Sequence, residues 1–180
     1  MTIALRDATP DDYDGINEVR RRTWLATYPN AALGITVADV EAVFDDSTEE
    51  ARQRREERRR AINATPLAHL WVAESDAGIV GMCLARKQDE RHHVQALYVL
   101  PDYQGQGIGK RLLQAALDWL GAAQPVTLHV ATYNEKAIAF YQRMGFVFSA
   151  APAEAELARL PSGAVIPELE MVRTSATPKG

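Results

Sequence analysis

The chain has 180 residues, 47% of them hydrophobic, with a formal net charge of -4. That length suits one well-filled core and is short for two, and the acidic balance excludes the net basic footprint of a general nucleic-acid binder. The lone Cys83 rules out an intrachain disulfide and fits a reducing, cytoplasmic setting, and the opening MTIALRDATPDDYD lacks the pattern of a signal peptide. No apolar run reaches membrane-spanning length. The expectation is a single domain over 1–175 with a flexible tail at 176–180, a monomer or homodimer with neither nucleic acid nor membrane as partner.

Residues 2–7 alternate like a short strand, and Thr9-Pro10-Asp11 opens a helix that runs to about Ala26. A shorter helical pattern covers 38–44. The stretch 48–62 is dense in both charge signs, with Glu50/Arg54 and Glu56/Arg60 four apart, and reads as a solvated helix face. After Thr65-Pro66 the period changes to two: LAHLWVAES, a turn at Asp76-Ala77-Gly78 and IVGMCLARK form an antiparallel hairpin, with HHVQALYVL as a third strand. A helix over about 107–120 follows, its apolar stripe made of Ile108, Leu112, Leu113, Ala116, Leu117 and Leu120, and Gly121 stops it. PVTLHVA is a strand, 134–144 a helix, GFVFS a strand, and AVIPELEMVR a final strand after a looser segment. The order predicts a mixed α/β (α+β) domain around a partly antiparallel sheet flanked by helices.

The turn YQGQGIGK, between the third strand and its helix, has the composition of an anion cradle. Glycines let the backbone approach a ligand, and the first helical amides favour negative charge. It is not a nucleoside-triphosphate loop, because Gln104 stands where the first glycine belongs and Arg111 follows Lys110. Nor is it the dinucleotide fingerprint, whose third glycine is replaced by Lys110. What remains is Gln104-x-x-Gly107-x-Gly109, which suits a pyrophosphate.

With LYVLPDYQGQGIGKRLL followed downstream by NEKAIAFYQRMGF, the chain resembles the GNAT superfamily of acyl-CoA-dependent N-acyltransferases. The resemblance implies a GNAT-like fold with acetyl-CoA as co-substrate. It assigns the coenzyme's pyrophosphate to the loop Gln104, Gly105, Gln106, Gly107, Ile108, Gly109 and Lys110. Main-chain groups at Leu97 and Val99 would hold the thioester, with Asn134, Ala137 and Phe140 beside the pantetheine arm. Tyr141 matches the tyrosine that serves many members as the acid for the leaving thiolate. The implied reaction is N-acetylation of a primary amine, on a small molecule or a peptide, by direct attack in a ternary complex. The alternative is a non-catalytic acyl-CoA-binding module.

Histidine is well matched in pKa to deprotonating an amine. His93, eleven residues before Gln104, occupies roughly the position where some relatives carry a basic glutamate. Strict alternation would place it on one face with Gln95, Leu97 and Val99. On that reading an acidic rate limb should appear near the ordinary histidine value, about 6.5. Glu74 and His92 are weaker candidates for the base, and Trp24, Tyr28 and Glu74 for lining an acceptor pocket. Cys83 has no histidine beside it in sequence, which argues against an acyl-cysteine, and no cluster has metal-ligand spacing.

Overall fold

Apolar residues that alternate along three consecutive segments become three antiparallel strands, and the rest of the sheet is laid against them. The structure, a computed structural model, describes residues 2–149 and 158–174; the expected tail at 176–180 lies outside these residues. The elements are β1 (Ala4–Asp7), α1 (Tyr13–Thr27), α2 (Val37–Glu41), α3 (Glu49–Arg60), β2 (Ala68–Ser75), β3 (Gly78–Arg86), β4 (His92–Val99), α4 (Ile108–Leu120), β5 (Val126–Ala131), α5 (Glu135–Arg143), β6 (Val147–Phe148), β7 (Ala158–Arg159), β8 (Val165–Ile166) and β9 (Glu168–Arg173).

A seven-stranded sheet runs in the order β1-β2-β3-β4-β5-β9-β6, and all its pairings are antiparallel except β4 with β5. The expected final strand is broken at Pro167, which has no N–H to give a ladder. Its first part, β8, pairs with β7 in a separate ribbon, and its second, β9, inserts between β5 and β6. On one side of the sheet α4 buries all six residues of its predicted stripe. Gly121, at φ 78°, ends that helix. On the other side α1 buries Ile16 and Val19.

The charged segment forms α3, with Glu49 and Glu50 in its first turn and Arg58, Arg59 and Arg60 in its last, which complements the helix dipole. It is not solvated all round. Arg55 and Arg59 reach Asp14 of α1 at 2.7 and 3.2 Å and lie over the Tyr13 ring. No helix among the described residues is long and apolar enough to cross a membrane.

Candidate active site

Strand β4 keeps β3 along its whole length but keeps β5 only at its start, at the register pairs His92↔Val126 and His93↔Thr127. Beyond these the parallel neighbours part. Because Leu100 donates to the Val80 carbonyl, alternation gives the β3 bonds to Tyr98 and Ala96 and turns the main-chain groups of Leu97 and Val99 toward the gap. The Val99 carbonyl accepts from Gln104 Nε2 at 3.0 Å. The Leu97 and Val99 amides have no acceptor among the described residues.

At the wide end of this gap lies the glycine turn. Gly107 adopts φ 79° and caps α4 with no side-chain hydrogen bond, and the amides of 107–110 have no acceptor among the described residues. A Cβ on Gly107 would meet nothing within 4 Å on the protein side. Uncapped donors at a helix start, beside space that a side chain would fill, fit a pyrophosphate. Exposed Lys110 adds a cation there, and Gln106 Nε2 braces the turn on the Asp102 carbonyl at 3.3 Å. Gln104, expected to serve the ligand, has its amide committed to Val99 and so stitches the turn to the strand.

Gly109 separates ligand contact from backbone strain. It lies within α4, and a Cβ there would meet Phe140 and Val99 at ordinary distances of 3.7 and 3.8 Å. Gly109→Ala is therefore expected to raise stability by roughly 0.5–1 kcal/mol. If the pyrophosphate packs on this turn, the same methyl lowers acetyl-CoA affinity. Thermal melts with calorimetric titration check both arms, and unchanged affinity would remove the turn from the coenzyme site.

Helix α5 closes the other side. Asn134 caps it by accepting the Ala137 amide at 3.2 Å, which accounts for both residues structurally. Phe140 leans toward Gly109, and Tyr141 is buried with its ring edge-on to Phe140 and Phe146. The Tyr141 hydroxyl has no hydrogen-bond partner among the described residues. Burial, with Cys83 and Tyr98 nearby, pushes its pKa well above the usual phenol value. Cys83 is itself buried, its thiol pushed up to about 12, so it is no nucleophile.

The alternation expected for β4 fails at one residue. The register passes from Leu84↔Ala96 to Ala85↔Val94, leaving Gln95 as a bulge. His93 therefore shares its face with Ala96 and Tyr98, toward α1, whereas Val94, Leu97 and Val99 face α4. This places His93 on the same face as Tyr98, beside which Trp24 and Tyr28 pack. Its Nδ1 lies 3.0 Å from Thr127 Oγ1, and that hydroxyl spends its one proton on the His92 carbonyl at 3.2 Å. Nδ1 must then carry the proton, which leaves the Nε2 lone pair free. Burial and neighbouring His129 lower the His93 pKa to about 4, so the ring is neutral at physiological pH.

His129, on β5, was not singled out by the sequence. Its ring centroid is 5.2 Å from that of His93, and its Nε2 lies 3.9 Å from Glu170. Its signal was the register of a strand parallel to β4, which no local pattern supplies. Two other candidates stand apart. His92 is buried, its ring accepting the Gln88 amide. Glu74 is at the far side of the sheet in an ion pair with Arg6 at 2.8 Å, and that guanidinium holds its carboxyl below the usual range. Trp24 and Tyr28 pack edge to face at 4.8 Å beside Tyr98, against a second hydrophobic cluster that includes Ala131. No group of His, Cys, Asp or Glu among the described residues has the arrangement of a metal site.

A sheet parted between parallel neighbours, with bare amides on one lip and a glycine turn opening a helix at its mouth, is the architecture of acyl-CoA-dependent N-acyltransferases. The sequence pattern of the Acetyltransferase (GNAT) family matches residues 37–146, and the chain belongs to that family. It is 34% identical over 115 residues to the peptidyl-lysine N-acetyltransferase YjaB of Escherichia coli strain K12, covering 63% of this chain and 72% of that protein. Against the YjaB of Salmonella typhimurium strain LT2 it is 42% identical over 82 residues, 45% of this chain. That match spans only about half of the Salmonella protein's length, 52%. Among solved structures, the PaiA N-acetyltransferase of Thermoplasma acidophilum in complex with coenzyme A superposes with a TM-score of 0.74 at 20% identity, covering 97% of this chain and 99% of that one. At that identity the likeness is one of fold.

Proposed function

We propose that the chain is an acetyl-CoA-dependent N-acetyltransferase in which a primary amine attacks the thioester directly, without an acyl-enzyme. The observation that carries this reading is the β4–β5 gap, where the amides of Leu97 and Val99 face the same opening as the uncapped start of α4. Acetyl-CoA supplies an activated carbonyl and a thiolate leaving group. A new C–N bond forms as the C–S bond breaks, and the amine gives up one proton.

The chain's own groups serve each need. The amides of 107–110 hold the pyrophosphate, and the Leu97 or Val99 amide points at the carbonyl oxygen as it gains charge. Tyr141 presents its hydroxyl to the departing sulfur. The amine proton goes to the histidine pair, with Nε2 of His93 as the free base. Buried Cys83 offers no competing route. Peptidyl-lysine acetylation by the YjaB proteins makes peptide amines one acceptor class to include.

Release of free coenzyme A from acetyl-CoA, followed across a panel of small amines and peptides, tests the reading. Acceptor-dependent release is expected, with both substrates bound before any product leaves. Coenzyme A binding with no release for any acceptor would favour a binding module and overturn the proposal.

A further inference from the structure

The acceptor side of the gap holds more hydrogen-bond donors and positive charge than deprotonating an amine requires. Arg6, Arg21, Arg22, Arg52, Arg55, Arg59 and Arg60 each have a carboxylate within ion-pair distance. Arg20 does not. It is half-buried on α1, over the Phe44 ring at 5.5 Å, and its one hydrogen bond is a long 3.5 Å contact to Asn17 Oδ1. The groups that act on it most strongly are Tyr98, Arg58, Tyr13 and Tyr28, with no acid among them. One turn further along α1, the buried Trp24 indole N–H finds no acceptor of good geometry among the described residues, with the Tyr98 hydroxyl beside it as a weak one. The Tyr98 side chain, beside Trp24, Tyr28 and Arg20, completes the group.

The opposite wall has the other sign. Glu168 and Glu170 project from β9; Glu170 is paired with Arg91 at 3.3 Å, and the Glu168 carboxylate acts on Tyr28, Tyr98 and Tyr133. Burial raises the Glu168 pKa, while His129 opposes that rise. The cleft is therefore polarised: among the described residues, a guanidinium with no carboxylate partner and a weakly satisfied indole N–H stand toward α1, and the Glu168 carboxylate stands toward β9. A desolvated guanidinium without an anion is costly, and its planar fork matches a carboxylate.

We propose that the acceptor is an amine that itself carries a carboxylate, with Arg20, Trp24 Nε1 and the tyrosine hydroxyls receiving the carboxylate and the β9 wall drawing the amine. This rests on the acetyl-transfer reading and narrows its substrate class. Two sources share the chemistry: a free amino acid, and a peptide N-terminus with an acidic side chain next to it.

The test compares kcat/KM for free amino acids with their α-amides, and for peptides with an acidic second residue with their amide counterparts. In one arm the carboxylate form is expected to lead its neutral isostere by roughly 10- to 100-fold, the scale of a charge-assisted pair, and that arm identifies the source. Arg20→Met should erase the lead through KM for the carboxylate form, leaving the amide form and acetyl-CoA affinity unchanged. Arg20→Lys should restore part of it as a point charge. Circular dichroism confirms folding; if Arg20→Met is unfolded, the wild-type comparison and Arg20→Lys decide. Equal rates for both forms, a lead that survives in folded Arg20→Met, or a preference for polyamines overturns the inference while leaving amine acetylation standing. Absence of acetylation on every amine overturns both.

Discussion

Tyr141→Phe is expected to lower the chemical rate by about 10²-fold or more, the scale of losing a positioned acid or a donor at a site of developing charge. The substitution keeps the ring edge-on to Phe140 and Phe146 and removes only a hydroxyl that has no partner among the described residues, so fold and acetyl-CoA affinity should hardly move. The direction of its pKa shift refines the role expected from the sequence. A phenol near 10 is already a weaker acid than a thiol near 8.5, so complete transfer to a free thiolate runs uphill by roughly 2 kcal/mol, and burial steepens the climb. The hydroxyl stays neutral throughout the working pH range and acts as a hydrogen-bond donor to sulfur while the C–S bond lengthens. Single-turnover kinetics, where chemistry is isolated from product release, measure the effect. A wild-type single-turnover rate would reduce Tyr141 to packing.

His93→Gln is expected to reduce kcat/KM by about 10²-fold, the lower end for general-base removal, and His129→Gln to reduce it through the same pair. The pH dependence follows from the lowered pKa. A base works when unprotonated, and with its value held near 4 the His93 ring is neutral above about pH 5. The limb expected near 6.5 is therefore displaced to about 4, and the rise in rate across neutral pH reports the acceptor's own deprotonation. His92→Gln serves as the contrast: its ring is buried and tied to the Gln88 amide, so its loss should appear as reduced stability rather than as a changed profile. Full activity in both His93→Gln and His129→Gln would remove the pair from the reaction.

Periodicity made the strands, the α4 stripe and the glycine turn legible, because each is specified by neighbours in sequence. The departures lie where tertiary register decides. The bulge at Gln95 turned His93 to the α1 face, and nothing local in RHHVQAL announces an extra residue. The break at Pro167 was visible as a residue type, but its outcome, β9 inserted between β5 and β6, depends on strands far away in the chain. His129 and the unpaired Arg20 were missed for the same reason. One needs the level of β5 against β4, and the other is told apart from exposed arginines by its partial burial over the Phe44 ring, which only the packed helix shows. Glu74 looked available because its partner, Arg6, is 68 residues away.

The two register pairs that join β4 to β5 stand where a fulcrum would lie if the strands tilted apart. Motion that widens or narrows the mouth between Val99 and Ala131 is a rotation about His92, His93, Val126 and Thr127, and its amplitude grows with distance from them. The Thr127 hydroxyl that fixes the His93 tautomer sits at that pivot, where displacement is least, whereas the Leu97 and Val99 amides ride on the long arm. Any such tilt would leave the imidazole's hydrogen bond to Thr127 nearly undisturbed, as a pair of tongs keeps its rivet still when the jaws open.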